Sequence, residues 1–216
     1  MMKELKDLYI IGAGGFGREV AWLVERLNEK EPTWNLKGFV DDDVSMHGTI
    51  QGGYPVVDRC DYLRKVTEET WCVCAIANVK NRKKIINRIS DNIKIHFATL
   101  IDPQVVCSSR VEIGEGTIIC AGTVVSVDVV IGKHVIVDWN CTIGHDDIIG
   151  NYVTLYPNVN ISGCVSVGEC TELGTGIQII QGKKICENVI VGAGSVVVKD
   201  IAKEGTYVGV PVGKVK

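Results

Sequence analysis

The hydrophobic pattern divides the chain into two stretches of different kind. From Ile101 onward a hydrophobic residue, aliphatic at all but Cys107, recurs every sixth position: Ile101, Cys107, Ile113, Ile119, Val125, Ile131, Val137, Ile143, Ile149, Leu155, Ile161, Val167, Leu173, Ile179, Ile185, Val191 and Val197. The position after it is often Gly, as at Gly114, Gly132, Gly144, Gly150, Gly168, Gly174 and Gly192. The position four after it is small or β-branched in most repeats, from Val105 to Ser195. A period of six suits neither a helix, at 3.6, nor an ordinary strand, at 2. It suits a triangular coil of three short strands, eighteen residues per turn, with like residues stacked on like. The predicted fold is therefore a parallel β-helix of hexapeptide repeats with nearly six coils, about 27 Å long at the usual strand spacing.

Residues 1–97 read differently. Leu8 to Ile11 is a buried-type strand running into Gly12-Ala13-Gly14-Gly15-Phe16-Gly17 and then a helical pattern (Val20, Leu23, Val24, Leu27). Trp34 to Val40 and Trp71 to Ile76 are two further strands, and Ile93 to Phe97 a fourth. Asn81 to Ile89 is an amphipathic helix with Ile85, Ile86 and Ile89 on one face, and a polar loop with Gly48, Gly52, Gly53 and Pro55 leads to a short helix around Asp61 to Lys65. Strand–helix alternation predicts a Rossmann-like α/β domain with a parallel sheet, here of about four strands. The expected domains are 1–97 for nucleotide-sugar binding and 98–216 for the β-helix, ending in a short cap with no C-terminal helix.

Composition narrows the function. The 216 residues are 46% hydrophobic and 23% charged, with net charge −3. That gives no basic footprint for nucleic acid. No apolar run is long enough to span a membrane. Met1 to Asp7 leads into the first strand without a signal-peptide pattern, so a cytoplasmic protein is expected. The nine cysteines are odd in number and form no CxxC pair, which argues against disulfides and zinc sites. Cys107 and Cys141 fall in inward slots as small hydrophobes. Lys199, Lys203, Lys214 and Lys216 scatter positive charge at the C-terminal end.

Two places carry chemistry. Gly12-x-Gly14-x-x-Gly17 joins a strand to a helix, so its amides can face a diphosphate. Asp41 and Asp42, at the end of the second strand, can accept from a ribose or base. NAD and a nucleotide-sugar both fit; a domain of about four strands favours the smaller ligand. In the β-helix, His145 faces outward, and the inward slot beside it is Asp147, one of two charged residues in that class with Lys183. A charge is costly inside an apolar coil, so the chain is expected to bulge at 145–148. His145 suits a general base near neutral pH, with adjacent Asp146 fixing its tautomer and strengthening it. Asp128, eighteen residues earlier, would add negative potential beneath Asp146. His134 reads as a solvated surface residue, and Cys164 as a conceivable nucleophile without a visible base.

The combination of Gly12 to Gly17, Phe39-Val40-Asp41-Asp42, Ile143-Gly144-His145-Asp146, Val191 to Val196 and Gly209-Val210-Pro211 resembles the NeuD/PglD-like sugar O-/N-acyltransferases, over nearly the whole chain. The resemblance implies a left-handed coil, a homotrimer, acetyl-CoA as co-substrate with no metal, and a sugar or nucleotide-sugar acceptor of bacterial surface glycan assembly. It implies catalysis by His145 with Asp146. Gly12, Gly14, Gly15, Phe16, Gly17, Asp41, Asp42, Asn78 and Asp138 would meet the acceptor. Gly163, Gly192, Ala193 and Gly194 would meet the coenzyme. Phe16 stands where PglD-like members carry His, Ala77 where they carry Gly, and Asp138 where Asn is frequent. Rival readings are sialic acid-type O-acetylation, a non-catalytic sugar-nucleotide binder, an NAD enzyme and a metal hydratase. The last needs three histidines, and the repeats hold only His134 and His145.

Overall fold

The computed structural model describes residues 4–215. The leader-free start read from Met1 to Lys3, and Lys216 of the basic tail, lie outside the described residues. The chain divides into two compact units, Met1–Pro103 and Gln104–Lys216. Among the described residues no helix is long and apolar enough to cross a membrane.

The first unit is built on β1 (Lys6–Ile11), α1 (Gly15–Lys30), β2 (Trp34–Val40), β3 (Ile50–Gln51), β4 (Tyr54–Asp58), β5 (Thr70–Cys74), α2 (Val79–Ile89) and β6 (Ile95–Phe97). Its sheet has six strands in the order β3-β4-β2-β1-β5-β6, against the four expected from sequence. The two additional strands form a hairpin, with Ile50 and Gln51 antiparallel to Pro55 and Tyr54 across Gly52-Gly53. Both turn glycines have positive φ, at 52° and 88°, as a tight hairpin turn requires. All strands but β3 are parallel, β4 included, and follow the Rossmann order, with the strand order reversing between β1 and β5. Leu8, Ile10, Ile11, Phe39, Val40, Cys72 and Val73 are buried, as a sheet covered on both faces demands. α1 buries Gly17, Val20, Ala21, Leu23 and Val24, one helical stripe. α2 buries Val79, Ile85, Ile86 and Ile89 and also Arg82, which is 1% exposed. The Arg82 guanidinium donates to the carbonyls of Ile76 and Ala77 at 2.7 and 2.9 Å, so a buried cation fixes the β5–α2 turn.

The second unit is a left-handed parallel β-helix. Each named strand pairs with the strand eighteen residues on: Ile118 with Ile136, Val124 with Thr142, Val130 with Ile148, and so on along three faces. The aliphatic slots from Ile119 to Val197 are buried, each contributing on the order of 1.5–3 kcal/mol. Cys107 departs from the expected inward slot and is exposed, because its strand Val106–Cys107 ends its face and no strand stacks on that side. The corners explain the rest of the hexapeptide. One residue per repeat, at every sixth position from Gly116 to Gly194, has a left-handed backbone with φ between 55° and 76°. Gly, Asn and Asp fill most of these corners, the residues that tolerate that conformation. The C-terminal cap is a strand pair, Gly205–Val208 and Gly213–Lys214, with the first strand parallel to Val189–Val191.

Candidate functional site

The corners stack into three edges, each stitched by amide-to-carbonyl hydrogen bonds between coils. On the first edge Asp146 N donates to Val127 O, Cys164 N to His145 O and Gly182 N to Gly163 O. This edge therefore sets Asp128, Asp146 and Cys164 one above another, with His145 over Gly163. His145 Nδ1 and Asp146 Oδ2 are 2.7 Å apart, and both side chains are 59% exposed. An ionised carboxylate accepts only, so Nδ1 is the donor to Asp146, and Nε2 points away from that pair. The ring lies against Gly163, where a Cβ would come within 2.5–2.8 Å of Nε2, Cε1 and Cδ2. Asp128, expected to add negative potential, is paired with Arg110 at 3.2 Å.

The expected bulge at 145–148 is absent. Asp147 points inward and is fully buried, while Val130–Ile131 still pairs with Ile148–Ile149 in register. The corner amides make this tolerable. Thr117, Thr123 and Thr171 occupy the same slot in other repeats, and each Oγ1 accepts from the backbone N–H eighteen residues on. Asp147 does likewise: Oδ1 accepts from Val165 N and Oδ2 from Gly144 N, both at 2.8 Å. Burial pushes its carboxyl up to about 6 despite these two donors. Asp147 thus ties the His145 turn to the coil carrying Gly163. Lys183, the other charged residue of the class, is only half-buried.

The other expected residues of the β-helix sit elsewhere. Asp138 and Gly192-Ala193-Gly194 belong to a different edge, where Asn140 N donates to Ala121 O, Asn158 N to Trp139 O and Gly194 N to Thr175 O. Within one chain only Gly163 joins His145 and Asp146. Asp138 Oδ1 accepts its neighbour's amide, Trp139 N, at 2.8 Å. His134 lies on the third edge and is 4% exposed rather than solvated. It stacks on Tyr152 at 5.1 Å and covers Gly116, where a side chain would meet its ring. The two histidines of the repeats are thus on separate edges and cannot share a metal within the chain.

In the first unit the strand-order reversal falls beside a cavity of about 240 Å³ lined by Gly12, Asp41, Asp42, Cys60, Ile76, Asn81, Lys84, Ile85 and Arg88. Gly12 has φ of 100°, and a Cβ on Gly17 would overlap Gly12 O at 2.0 Å, so α1 packs directly on the loop. Gly14 and Gly15 face open space. Gly14 caps α1 without a side-chain hydrogen bond, which leaves the first helical amides open to an anion. Phe16 is half-buried in the first turn of α1. Asp41 is partly committed already: Oδ2 accepts from Ala13 N and Oδ1 from Asp43 N. Asn78 caps α2, accepting from Asn81 N at 3.0 Å. Asp42 is the carboxylate with a cation beside it. Burial opposes its ionisation, but Arg88, at 2.7 Å, and the Cys60 amide hold it below the usual carboxylate range. Lys84 and Arg88 escaped the sequence reading, although their i, i+4 spacing on the polar flank of α2 was the available signal.

Similarity to known proteins agrees with this arrangement. The family of the PglD N-terminal domain matches residues 7–89. The structure of PerB from Caulobacter crescentus, solved with CoA and GDP-perosamine, is 30% identical, with 99% of each chain covered and a TM-score of 0.85. The chain belongs to the PglD-like family of sugar acetyltransferases. The acetyltransferase domain of PglB from Neisseria gonorrhoeae FA1090 is 29% identical, with a TM-score of 0.89 over 97% of this chain and 100% of that one. It has also been solved with acetyl coenzyme A. UDP-N-acetylbacillosamine N-acetyltransferase of Bacillus subtilis (strain 168) is 34% identical over 119 residues. That match covers 53% of this chain and 51% of the Bacillus protein, so the chain spans about half the length of this curated relative. The six-stranded sheet, with its Rossmann strand order, no longer separates NAD from a nucleotide-sugar by size.

Proposed function

We propose that this chain transfers the acetyl group of acetyl-CoA to the amino group of a nucleotide-linked amino sugar, in the assembly of a bacterial surface glycan. The observation that carries the reading is the exposed His145 held by Asp146 on a β-helix corner, with Nε2 free. In this reading Nε2 takes the proton of the amine as its nitrogen attacks the thioester carbonyl. Backbone N–H groups receive the developing oxyanion. The tetrahedral species collapses, the C–S bond breaks, and the imidazolium returns the proton to the departing CoA sulfur. No covalent enzyme intermediate is required. The N-acetyltransferase names of the Bacillus and Caulobacter relatives support nitrogen over oxygen as the acceptor atom.

The nucleotide is assigned to the 240 Å³ cavity, with the diphosphate at the α1 N-terminus and the base or ribose at Asp42 and Arg88. The coenzyme is assigned to the groove beside His145. Gly192 to Gly194 lie on another edge, so a coenzyme that touches both needs a second copy of the chain; a homotrimer supplies one at each groove. The test is CoA release with UDP-, GDP- and dTDP-linked amino sugars, with mass analysis of the product. An amide product from at least one donor–acceptor pair is expected. Acetyl-CoA consumption with no acetylated sugar in any pairing would contradict the reading.

A further inference from the structure

The His145 corner carries a donor set wider than acetyl transfer uses, because Cys164 stands beside His145 and Asp146. Cys164 stands one coil beyond Asp146, its N–H bonded to His145 O at 2.8 Å. Asp146 and Cys164 have the same left-handed backbone, φ 61°, so their side chains leave the corner in register. Gly163 has no side chain to separate Cys164 from the imidazole, whose Nε2 is the ring atom nearest a Cβ built there. One donor atom each from His145, Asp146 and Cys164 lies within 4.8 Å of the others, and all three residues are exposed. The set is confined to this level of the edge. One coil earlier Asp128 is engaged by Arg110, and one coil later the corner is Gly182.

Imidazole, carboxylate and thiolate together suit a zinc-class cation; magnesium and calcium prefer oxygen throughout. Zinc bonds of about 2.0–2.3 Å place tetrahedral ligands roughly 3.5 Å apart, within reach of a small swing by exposed side chains. Three protein ligands leave the fourth position to water. We propose that His145, Asp146 and Cys164 bind a zinc-class divalent cation and that its binding shuts off acetyl transfer. The Cys164 thiol loses its proton to solvent as the metal–sulfur bond forms. The imidazole lone pair goes to the metal, so it can no longer accept a proton from the acceptor amine. No redox change is involved. The inhibitory half of the inference rests on the proposed role of His145; the binding half does not.

The experiment titrates cobalt(II) and zinc(II) into the metal-free full-length protein, read by absorption and calorimetry, for wild type and Cys164→Ser. One equivalent per chain is expected, with a sulfur-to-cobalt charge-transfer band. Cys164→Ser should remain folded by circular dichroism, lose the band and bind zinc at least about tenfold more weakly. Zinc should abolish wild-type turnover reversibly by chelator, and Cys164→Ser should resist the same concentration relative to its own metal-free rate. Absence of stoichiometric binding, a band unchanged in Cys164→Ser (metal on another thiol, such as exposed Cys107) or turnover raised by zinc would overturn the inference. Because absorption and calorimetry need no turnover, metal binding without acetyl transfer would instead count against the proposed function alone.

Discussion

Asp147 and Gly163 both bear on His145: Asp147 accepts from the Gly144 amide, and Gly163 leaves room for the imidazole. The fold holds the Asp147 proton more tightly than the unfolded chain does, since burial moves the carboxyl up to about 6. Its stabilising contribution is therefore fullest below about pH 4 and is lost as pH rises through about 6. Asp147→Thr, which copies Thr117, Thr123 and Thr171, removes that dependence. The wild-type-minus-variant stability should fall by roughly 2–3 kcal/mol between about pH 4 and pH 7 in urea unfolding. A difference independent of pH would contradict the assignment. Gly163→Ala places a methyl against the imidazole. Acetyl-CoA affinity should hold while kcat drops about tenfold or more, because a shift of about 1 Å in a catalytic group is enough. Sequence alone made His145 and Asp146 conspicuous. It misread Asp147, because a carboxylate in an apolar slot is expensive only until two backbone amides are found facing it. Those amides belong to corners whose geometry a single sequence does not display.

The hexapeptide was legible as an element because its core slots repeat without a break. Its corners were less so. Glycine is frequent just after the aliphatic residue, whereas the residue that needs the left-handed backbone stands three after it. Gly122 shows the consequence, with φ 76° and no room for a Cβ, which would lie 2.0 Å from Asn140 Oδ1. Gly122→Ala should cost at least about 1–2 kcal/mol in chemical unfolding, from backbone strain alone. A neutral result would mean that the corners do not constrain the coil. The same blind spot put His134 in solvent, since it occupies such a corner and folds back over Gly116. In the first unit, the Ile50–Gln51 and Tyr54–Asp58 hairpin stands where the sequence pattern predicts a polar loop. Its strands are short, and Pro55 masks the second. The Gly52-Gly53 pair between them was the readable sign.

At the scale of the whole molecule, two units divide the chemistry that the chain is proposed to join. The first offers Asp42, Lys84 and Arg88 around a cavity; the second offers His145 and Asp146 on an edge. Arg88→Ala removes the cation from Asp42 and should weaken nucleotide-sugar binding about tenfold or more, with acetyl-CoA affinity unchanged, by calorimetry. Equal loss of both ligands would show that the variant damages the fold rather than the cavity. The grouping of functional residues was the part least legible in sequence. Asp138 and Gly192 to Gly194 look like neighbours of His145 by motif, yet eighteen-residue stacking sends them to another edge. The central claim, that His145 is the base for acetyl transfer, is tested most directly by the single-turnover rate of His145→Ala with saturating acetyl-CoA and a nucleotide amino sugar. A fall of roughly 10² or more, with the affinity for acetyl-CoA retained, is the predicted result. A rate equal to that of the wild type would contradict it.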